Sequence, residues 1–508
     1  MNYLPVLLSV SPLLVILVLM VGFRWSLIRT GVAAWIWTLA VAALAFGAGV
    51  DAIAISQAKA LLLALDVLLI VWGALLFYSV CEEAGVVLAI GNGLAAAVPW
   101  RSVQALALAW VFASFLQGAG GFGVPVVITA PLLLASGFSP IQAVVLPFIG
   151  HAWAVTFGSL GTSFQALMSA SRLGAETLAA PSAVLLGVLC LGSGLLVGWL
   201  IAGKGEFRRL LPIILVIGLA MSGTQFLLAV TGFWQVASLG GGLAGLLVVF
   251  FVGWLIRMGD PASGYHPDRK FILGLTGYLI LIAVILCAQW IDPVREVLLS
   301  VEWKFSLPAA ATSLGYSTPA EGGAGFAPLG HPGALLVYSS AAVFLFFRGW
   351  GWYPPQAVGK ILRGTARKAA SVSIGILLMV GVSTILSYSG MTARLAEGLS
   401  ESVGAAFPAF APWLGAIGAF LTGSNTNSNL LFAPLQQHMA RSLEVPEKIL
   451  LAAQTSGGAV GSVLSPAKVT LGSVAFRGSL GEGDVMRKLI LPIGLLLLAA
   501  SACTILLL

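Results

Sequence analysis

Long apolar runs with almost no charged side chains dominate this chain. Charged residues make up 8% of its 508 residues, whereas a soluble domain normally has about a quarter. About 20 apolar residues are enough to cross the hydrocarbon core of a bilayer as a helix, so the length allows about 11 to 14 transmembrane helices. The sequence therefore predicts an all-α polytopic membrane protein. The clearest runs cover residues 4–22, 31–50, 58–80, 102–118, 181–203, 210–231, 233–256, 271–290, 334–347, 370–388 and 488–508.

The basic residues indicate membrane topology. Lys and Arg exceed Asp and Glu by 25 to 18, and they cluster in short loops at 204–209, 257–270 and 348–368. Two apolar spans separate each of these loops from the next, so all three lie on one face, which the positive-inside rule makes cytoplasmic. We therefore expect lipid and no nucleic acid as a partner. The four cysteines are scattered without CxxC spacing, so we expect no metal site and no cofactor.

Two regions, 117–165 and 420–470, are apolar enough for membrane depth yet rich in Gly, Pro, Ser, Thr and Asn. They match each other without gaps at an offset of 303 residues, which pairs Gly120 with Gly423 and His151 with Gln454. Gly- and Pro-interrupted segments at corresponding places in two halves indicate a transporter's midplane site. We expect two inverted repeats, each with a broken or re-entrant helix hairpin. Residues 1–245 and 246–508 then form the halves of one integral membrane domain.

The two half-sites differ in chemistry. The second carries six consecutive hydrogen-bonding side chains from Ser424 to Asn429, whereas Gly118–Pro125 in the first offers mainly backbone. Amides, hydroxyls and the N–H groups at a helix break can bind a carboxylate. The predicted substrate-binding residues are Gly120, Gly121, Phe122, Gly123, Thr162, Ser163, Ser424, Asn425, Thr426, Asn427, Ser428, Asn429, Gln454, Thr455, Ser456 and Ser465. No catalytic residue is predicted.

Several strings carry a resemblance to the L-lactate permease family. They are Phe115–Gly123, Gly158–Thr162, Tyr388–Thr392, Leu421–Asn429, Leu431-Phe432, Thr455–Gly458 and Ser465-Pro466. The resemblance implies a multi-pass protein of the bacterial inner membrane that transports L-lactate and related 2-hydroxy monocarboxylates such as glycolate, commonly with protons. Ser424-Asn425-Thr426 also resembles the Ser-Asn-Thr signature of distant carboxylate transporters.

This chain departs from the family pattern at four positions. Gln117 and Asn425 stand where the family usually has Glu and Asp, His151 stands for Asn, and Lys468 stands for a small hydroxyl residue. Two carboxylates have thus become amides, while titratable groups occur elsewhere. We therefore expect proton coupling through His151 or Lys468, since histidine titrates near physiological pH and a buried ammonium releases its proton readily. Gln117 and Asp66, which lies within an apolar span, are the further coupling candidates.

Other functions stay open as alternatives. A sodium-coupled or uncoupled permease for another small organic anion fits the same half-sites. A channel also explains polar half-helices, although duplicated broken helices favour alternating access. An intramembrane enzyme is disfavoured, because the sequence has no HExxH, no GxSxG and no paired catalytic aspartates.

Overall fold

A computed structural model describes residues 4–23, 25–121, 123–202, 204–258, 269–466, 468–469 and 482–508. In these ranges eleven helices are long and apolar enough to cross a membrane. A helix pair bent by 47°, Pro140–Val155 and Gly158–Ser171, makes a twelfth if it is counted as one span. The expected polytopic helical fold is therefore confirmed.

The helices of the first half are α1 Leu4–Leu17, α2 Leu27–Ala45, α3 Val50–Glu83, α4 Val86–Ala97, α5 Arg101–Leu106, α6 Ala113–Ala119, α7 Val124–Ala135, α8 Pro140–His151, α9 Gly158–Ser171, α10 Ala175–Ile201, α11 Lys204–Val230 and α12 Ala237–Met258. A π-helical turn, Ala107–Phe112, joins α5 to α6, and a 3-10 turn, Ala152–Val155, follows α8.

The helices of the second half are α13 Arg269–Trp290, α14 Asp292–Leu299, α15 Pro332–Gly349, α16 Ala357–Tyr388, α17 Met391–Val403, α18 Phe407–Thr422, α19 Asn425–Ser442, α20 Glu447–Gly461 and α21 Glu482–Leu506. Between α14 and α15 lie four short strands, β1 Trp303–Leu307, β2 Ala310–Ala311, β3 Ser317–Thr318 and β4 Glu321–Phe326. They form two antiparallel pairs, β1 with β4 and β2 with β3.

The apolar runs agree with the helices except near the N-terminus and before the second polar string. Residues 4–20 form an apolar helix shorter than 18 residues, while α17 and α18 together, Met391–Thr422, meet the criteria for a span. The sequence did not indicate that span because α17 carries Arg394, Glu397 and Glu401. Two membrane-length helices separate each basic loop from the next, as expected, although residues 259–268 of the second loop lie outside the described residues.

Helix α3 of the first half packs antiparallel against α16 of the second. The indole of Trp72 donates to Ser373 Oγ at 2.9 Å, and the Thr365 hydroxyl donates to Ser79 Oγ at 3.2 Å. Because the partner number in α16 falls as the number in α3 rises, the two helices run in opposite directions. The two halves are thus in contact along a long helix pair.

In each repeat, an equivalent pair of helical segments packs closely at a glycine. A Cβ on Gly457 of α20 would lie 1.8 Å from the carbonyl oxygen of Pro412 in α18. In the first repeat, a Cβ on Gly150 of α8 would lie 2.0 Å from the carbonyl oxygen of Ala109. Both contacts bring helix backbones to a distance that no larger residue permits. The opposite membrane orientation of the repeats stays a prediction.

Gly457→Ala is expected to destabilise the protein, because the new methyl group forces α20 away from the α18 backbone. Overpacking of this kind typically costs about 1–3 kcal/mol. We expect a lower apparent Tm in detergent, measured by the loss of the monodisperse peak on size-exclusion chromatography after heating. Gly494→Ala in α21 is the matched control, since a Cβ there meets no atom within 4 Å. Equal melting of the two variants would contradict the close packing of α18 and α20.

Candidate functional site

Both irregular regions contain a helix break at equivalent positions. Helix α6 ends at Ala119 and α18 at Thr422, residues that correspond in the 303-residue register. Gly123 (φ 85°) and Gly423 (φ 72°) adopt left-handed backbone conformations that favour glycine. After the second break, the Ser424 side chain caps α19 by accepting a hydrogen bond from the Asn427 N–H at 3.4 Å. The discontinuous helices expected from the sequence are therefore confirmed.

A strained turn begins α9. Ser159, Leu160 and Gly161 have φ values of 48°, 56° and 84° in succession. A non-glycine residue in this region costs about 1–2 kcal/mol, and such strain clusters at functional sites. Thr162 stabilises the turn by donating its hydroxyl hydrogen bond to the Ser159 carbonyl at 2.7 Å.

This turn packs on the glycine-rich loop of the first half. A Cβ on Gly121 would lie 1.8 Å from Ser159 Oγ and 3.2 Å from Gln117 Nε2, while a Cβ on Gly120 would lie 2.6 Å from the Tyr78 ring. The Ser159 hydroxyl also donates to the Gly120 carbonyl at 3.5 Å. The structure thus brings together Gln117, Gly120 and Gly121 of the predicted residues. Phe122 lies outside the described residues.

Asn425 bridges the two halves. Its Nδ2 donates to Thr156 Oγ1 at 3.2 Å and to the carbonyl and hydroxyl oxygens of Thr455 at 3.1 and 3.3 Å. Thr156 also donates to the Thr455 carbonyl at 3.0 Å. All three side chains are buried. Residues from α19 and α20 therefore meet the segment between α8 and α9.

A second set of bonds joins α9 to α19. Ser163 Oγ and Thr426 Oγ1 share a hydrogen bond of 3.1 Å. Asn429 Nδ2 donates to the Ser163 carbonyl at 2.8 Å and to Thr455 Oγ1 at 2.8 Å. The two networks therefore meet at Thr455. Together they place Thr426, Asn429, Ser163 and Thr455, all predicted from sequence, in one buried cluster.

Two other predicted residues belong to a network within the second half. Ser428 donates to the Gly415 carbonyl at 2.7 Å, and Gln454 Nε2 donates to Ser428 Oγ at 3.0 Å. Gln436 in turn donates to Gln454 Oε1 at 3.0 Å and to the Ala411 carbonyl at 3.2 Å. These bonds tie α18, α19 and α20 together, which indicates a scaffold role for Ser428 and Gln454.

Some buried acceptors in the cluster have no donor. The amide oxygens of Asn427 and Asn429 and the hydroxyl of Ser456 are buried without a hydrogen-bond partner among the described residues. Leaving such a group unsatisfied costs about 1–3 kcal/mol. Asn425 Oδ1 also lacks a donor, but it lies against α20, where a Cβ on Gly458 would be 2.1 Å away. Asn427 and Asn429 therefore offer acceptors to a ligand that donates hydrogen bonds.

The coupling candidates occupy different surroundings. His151 is buried at the end of α8, and its Nδ1 lies 2.5 Å from the Pro147 carbonyl. Because a carbonyl only accepts, Nδ1 carries the proton in this arrangement. The Lys468 ammonium donates to Ser462 Oγ at 2.9 Å. The main-chain N–H of Lys468 bonds the Ser465 carbonyl at 3.1 Å, so Ser465 begins this turn.

Asp66 has hydrogen-bonding partners on both of its carboxylate oxygens. His331 Nε2 lies 3.0 Å from Asp66 Oδ1, and Gln165 and Ser169 of α9 donate to Oδ2. Sequence reasoning missed His331, Thr156 and Ser159. Ser159 lies within Gly158-Ser159, which matches Gly461-Ser462 of the second repeat, and Thr156 lies two residues before Gly158. The sequence signal at His331 is the Pro that follows it at the start of α15.

The cluster is closed in this conformation, because every side chain from Asn425 to Asn429 is at most 6% exposed. A ligand can reach the unsatisfied acceptors only after the helices around them move. Buried polar groups at a helix break, held between two halves, provide the geometry of an occluded transport site.

Comparison with known proteins identifies the family. The L-lactate permease family model matches residues 5–258 and 317–508. The L-lactate permease of Halalkalibacterium halodurans is 26% identical over 77% of this chain and 75% of that protein. The glycolate permease GlcA of Escherichia coli is 28% identical over 82% of this chain and 80% of that protein.

Among solved structures, the Alcanivorax borkumensis YdaH transporter matches 86% of this chain and 84% of that chain with a TM-score of 0.47 and 14% identity. The relatives are permeases, which move solutes and are not enzymes. With most of its length matched by the family model, the chain belongs to the L-lactate permease family.

Proposed function

We propose that this protein is a secondary symporter of small 2-hydroxy monocarboxylates, L-lactate and glycolate, in the inner membrane of a bacterium. The observation that carries the proposal is the buried polar cluster between the helix breaks, with the amide oxygens of Asn427 and Asn429 unsatisfied among the described residues. The L-lactate and glycolate permeases among the relatives support the same substrate class.

The chemistry of the cluster suits a 2-hydroxy acid. The substrate hydroxyl donates a hydrogen bond, which an amide oxygen of Asn427 or Asn429 accepts. The substrate carboxylate needs donors, and the N–H groups of Gly123 and of the start of α19 supply them, since a helix N-terminus favours negative charge. The N–H groups of Gly120 and Gly121 already donate to the Leu116 carbonyl. We infer that the carboxylate binds between Gly120–Gly123 and Ser424–Asn429, with Thr162, Ser163 and Thr455 around it.

Transport requires the site to open to each side of the membrane in turn. We propose that the helices up to α12 and those from α13 onward are inverted halves that move relative to each other around the cluster. The boundary is then at the end of α12, Met258, because residue 245 lies within that helix. The halves meet through the bonds of Thr156 and Ser163 with residues of α19 and α20. Opening the site requires these few hydrogen bonds to break and re-form. Each contributes about 0.5–1.5 kcal/mol net to the free energy of the closed arrangement.

We further propose that uptake is linked to protons. Gln117 and Asn425 are amides and cannot carry a proton in the cycle, so the titratable groups near the helix breaks are His151 and Lys468. Loading and release of a proton at one of these two groups would accompany binding and release of the substrate anion.

Sodium coupling is the second candidate. Unsatisfied amide oxygens at Asn427 and Asn429 also suit a hard cation, which prefers oxygen ligands. A sodium ion there would take the acceptors that the first proposal gives to the substrate hydroxyl. The two mechanisms differ in which ion gradient drives uptake.

Asn427→Leu is expected to weaken L-lactate binding about 5- to 150-fold, because a buried hydrogen bond worth about 1–3 kcal/mol is removed. Asn425→Leu should weaken binding and also lower the apparent Tm, since it breaks the bridge to Thr156 and Thr455. The measurements are the KM for labelled L-lactate in liposomes and the Tm in detergent.

Asn92→Leu on the exposed side of α4 is the control for this substitution. It should change neither the KM nor the Tm. Unchanged affinity in both Asn425→Leu and Asn427→Leu would exclude these residues from the site.

An inward proton gradient is expected to drive L-lactate accumulation by the wild-type protein without sodium. Accumulation should increase as the external pH falls and should disappear when the gradient is collapsed. His151→Asn or Lys468→Ser should lose this pH dependence, whereas Lys448→Ser, an exposed lysine of α20, should retain it. The measurement is labelled L-lactate uptake into liposomes under imposed proton or sodium gradients. A requirement for sodium, or full pH dependence in both variants, would contradict the proposed coupling.

A further inference from the structure

A second polar cluster lies between α3, α9 and the start of α15, outside the substrate site. Asp66, midway along α3, has a side chain that is 24% exposed, and the His331 side chain is 7% exposed. Asp66 Oδ2 accepts hydrogen bonds from Gln165 Nε2 at 2.7 Å and from Ser169 Oγ at 2.5 Å. His331 Nε2 lies 3.0 Å from Oδ1. An ionisable side chain within a transmembrane helix is expensive and commonly marks a proton or ion pathway.

The hydrogen bonds of His331 define its protonation state. The Gly333 N–H donates to His331 Nδ1 at 3.1 Å, as part of the cap of α15. A ring nitrogen that accepts a hydrogen bond carries no proton, so the ring proton is on Nε2 and the imidazole is neutral. The pair with an ionised Asp66 therefore has one negative charge, held by three neutral donors. Such a carboxylate can take up a proton without leaving a cation unpaired.

Charged groups on the surrounding helices lie away from this contact in sequence. On α9 the next ionisable residue is Arg172, three residues after Ser169, and on α3 it is Lys59, seven residues before Asp66. The basic residues of α16 that contact α3, Lys360 and Lys368, pair with Glu83 and Glu82 at its far end. On α15 the charged residue is Arg348, in its last turn. His331 is thus the titratable partner that Asp66 contacts.

Helix α9 connects this cluster to the substrate site. Gln165 and Ser169 bond Asp66, while Ser163, two residues before Gln165, bonds Asn429 and Thr426. Hydrogen bonds to an ionised acceptor are roughly twice as strong as neutral ones. Protonation of Asp66 therefore loosens the attachment of α9 to α3, and it does so on the helix that lines the substrate.

We propose that the Asp66–His331 pair is a proton-binding station of the transport cycle, linked to the substrate site by α9. The proposal rests on the proton-linked uptake proposed above and adds a station to His151 and Lys468. The proton binds the Asp66 carboxylate and converts it to a neutral acid. Because His331 begins α15 at the end opposite the basic loop 348–368, the station lies toward the non-cytoplasmic face, from which substrate and proton enter.

The test compares two assays in liposomes that contain the full-length protein. Counterflow of labelled L-lactate at equal pH on both sides reports substrate binding and movement, while accumulation under a proton gradient reports coupling. We expect Asp66→Asn to retain counterflow and to accumulate no L-lactate above the external concentration. His331→Gln, which retains the carboxylate and offers it an amide donor, should shift the pH of half-maximal accumulation. Asp51→Asn, at an exposed carboxylate in the first turn of α3, is the matched control and should accumulate L-lactate as the wild type does.

Full accumulation by Asp66→Asn would overturn the proposal. Loss of counterflow in both Asp66→Asn and His331→Gln would also overturn it, because the pair would then be structural. If uptake is not linked to protons at all, accumulation by the wild-type protein will not depend on the proton gradient. That result is distinguishable from the two above, and it would overturn this proposal as well.

Discussion

A helix that breaks at membrane depth frees backbone N–H and C=O groups that cannot bond to lipid, and the structure depends on giving these groups partners. Each bare group costs several kcal/mol in hydrocarbon. Side chains meet this requirement at both breaks. The Ser159 hydroxyl donates to the Gly120 carbonyl, the Thr422 hydroxyl donates to the Ser424 carbonyl, and Ser424 Oγ accepts from the Asn427 N–H. The polar string after the break is therefore needed for folding before it is available for transport.

Such short side chains reach their partners only because the helices approach closely. Gly415 and Gly457 leave no room for a Cβ between α18 and α20, since the nearest carbonyl oxygens would lie 2.0 and 1.8 Å from it. Ser428 of α19 reaches the α18 backbone beside Gly418, where a Cβ would lie 2.6 Å from Ser428 Oγ. In membranes small residues at helix interfaces allow this close packing. The glycines thus allow the helices to approach closely, and the polar string supplies hydrogen bonds between them.

The helix breaks could be predicted from the sequence, because Gly and Pro interrupt apolar runs at both copies of the repeat. The hydrogen-bond partner of each polar residue could not be predicted. Ser428 and Asn429 are neighbours in sequence, yet one bonds α18 and the other bonds α9, a difference that depends on which tertiary neighbour each side chain faces. His331 lies in a segment without periodicity, and only folding brings it to Asp66. The strands between α14 and α15 carried no pattern that an analysis of membrane spans would detect.

The amide at position 425 affects both the contact between the two halves and the proposed proton coupling. Asn425 Nδ2 donates to the Thr455 carbonyl, whereas an ionised Asp at this position would accept only and would repel that oxygen. A carboxylate could make the same contact only when protonated, which would tie the bridge between the halves to pH. The amide makes the contact at every pH. With Gln117 likewise unable to titrate, the central bridge does not depend on pH, and the proposed proton dependence falls to groups outside the bridge, such as Asp66, which bonds α9.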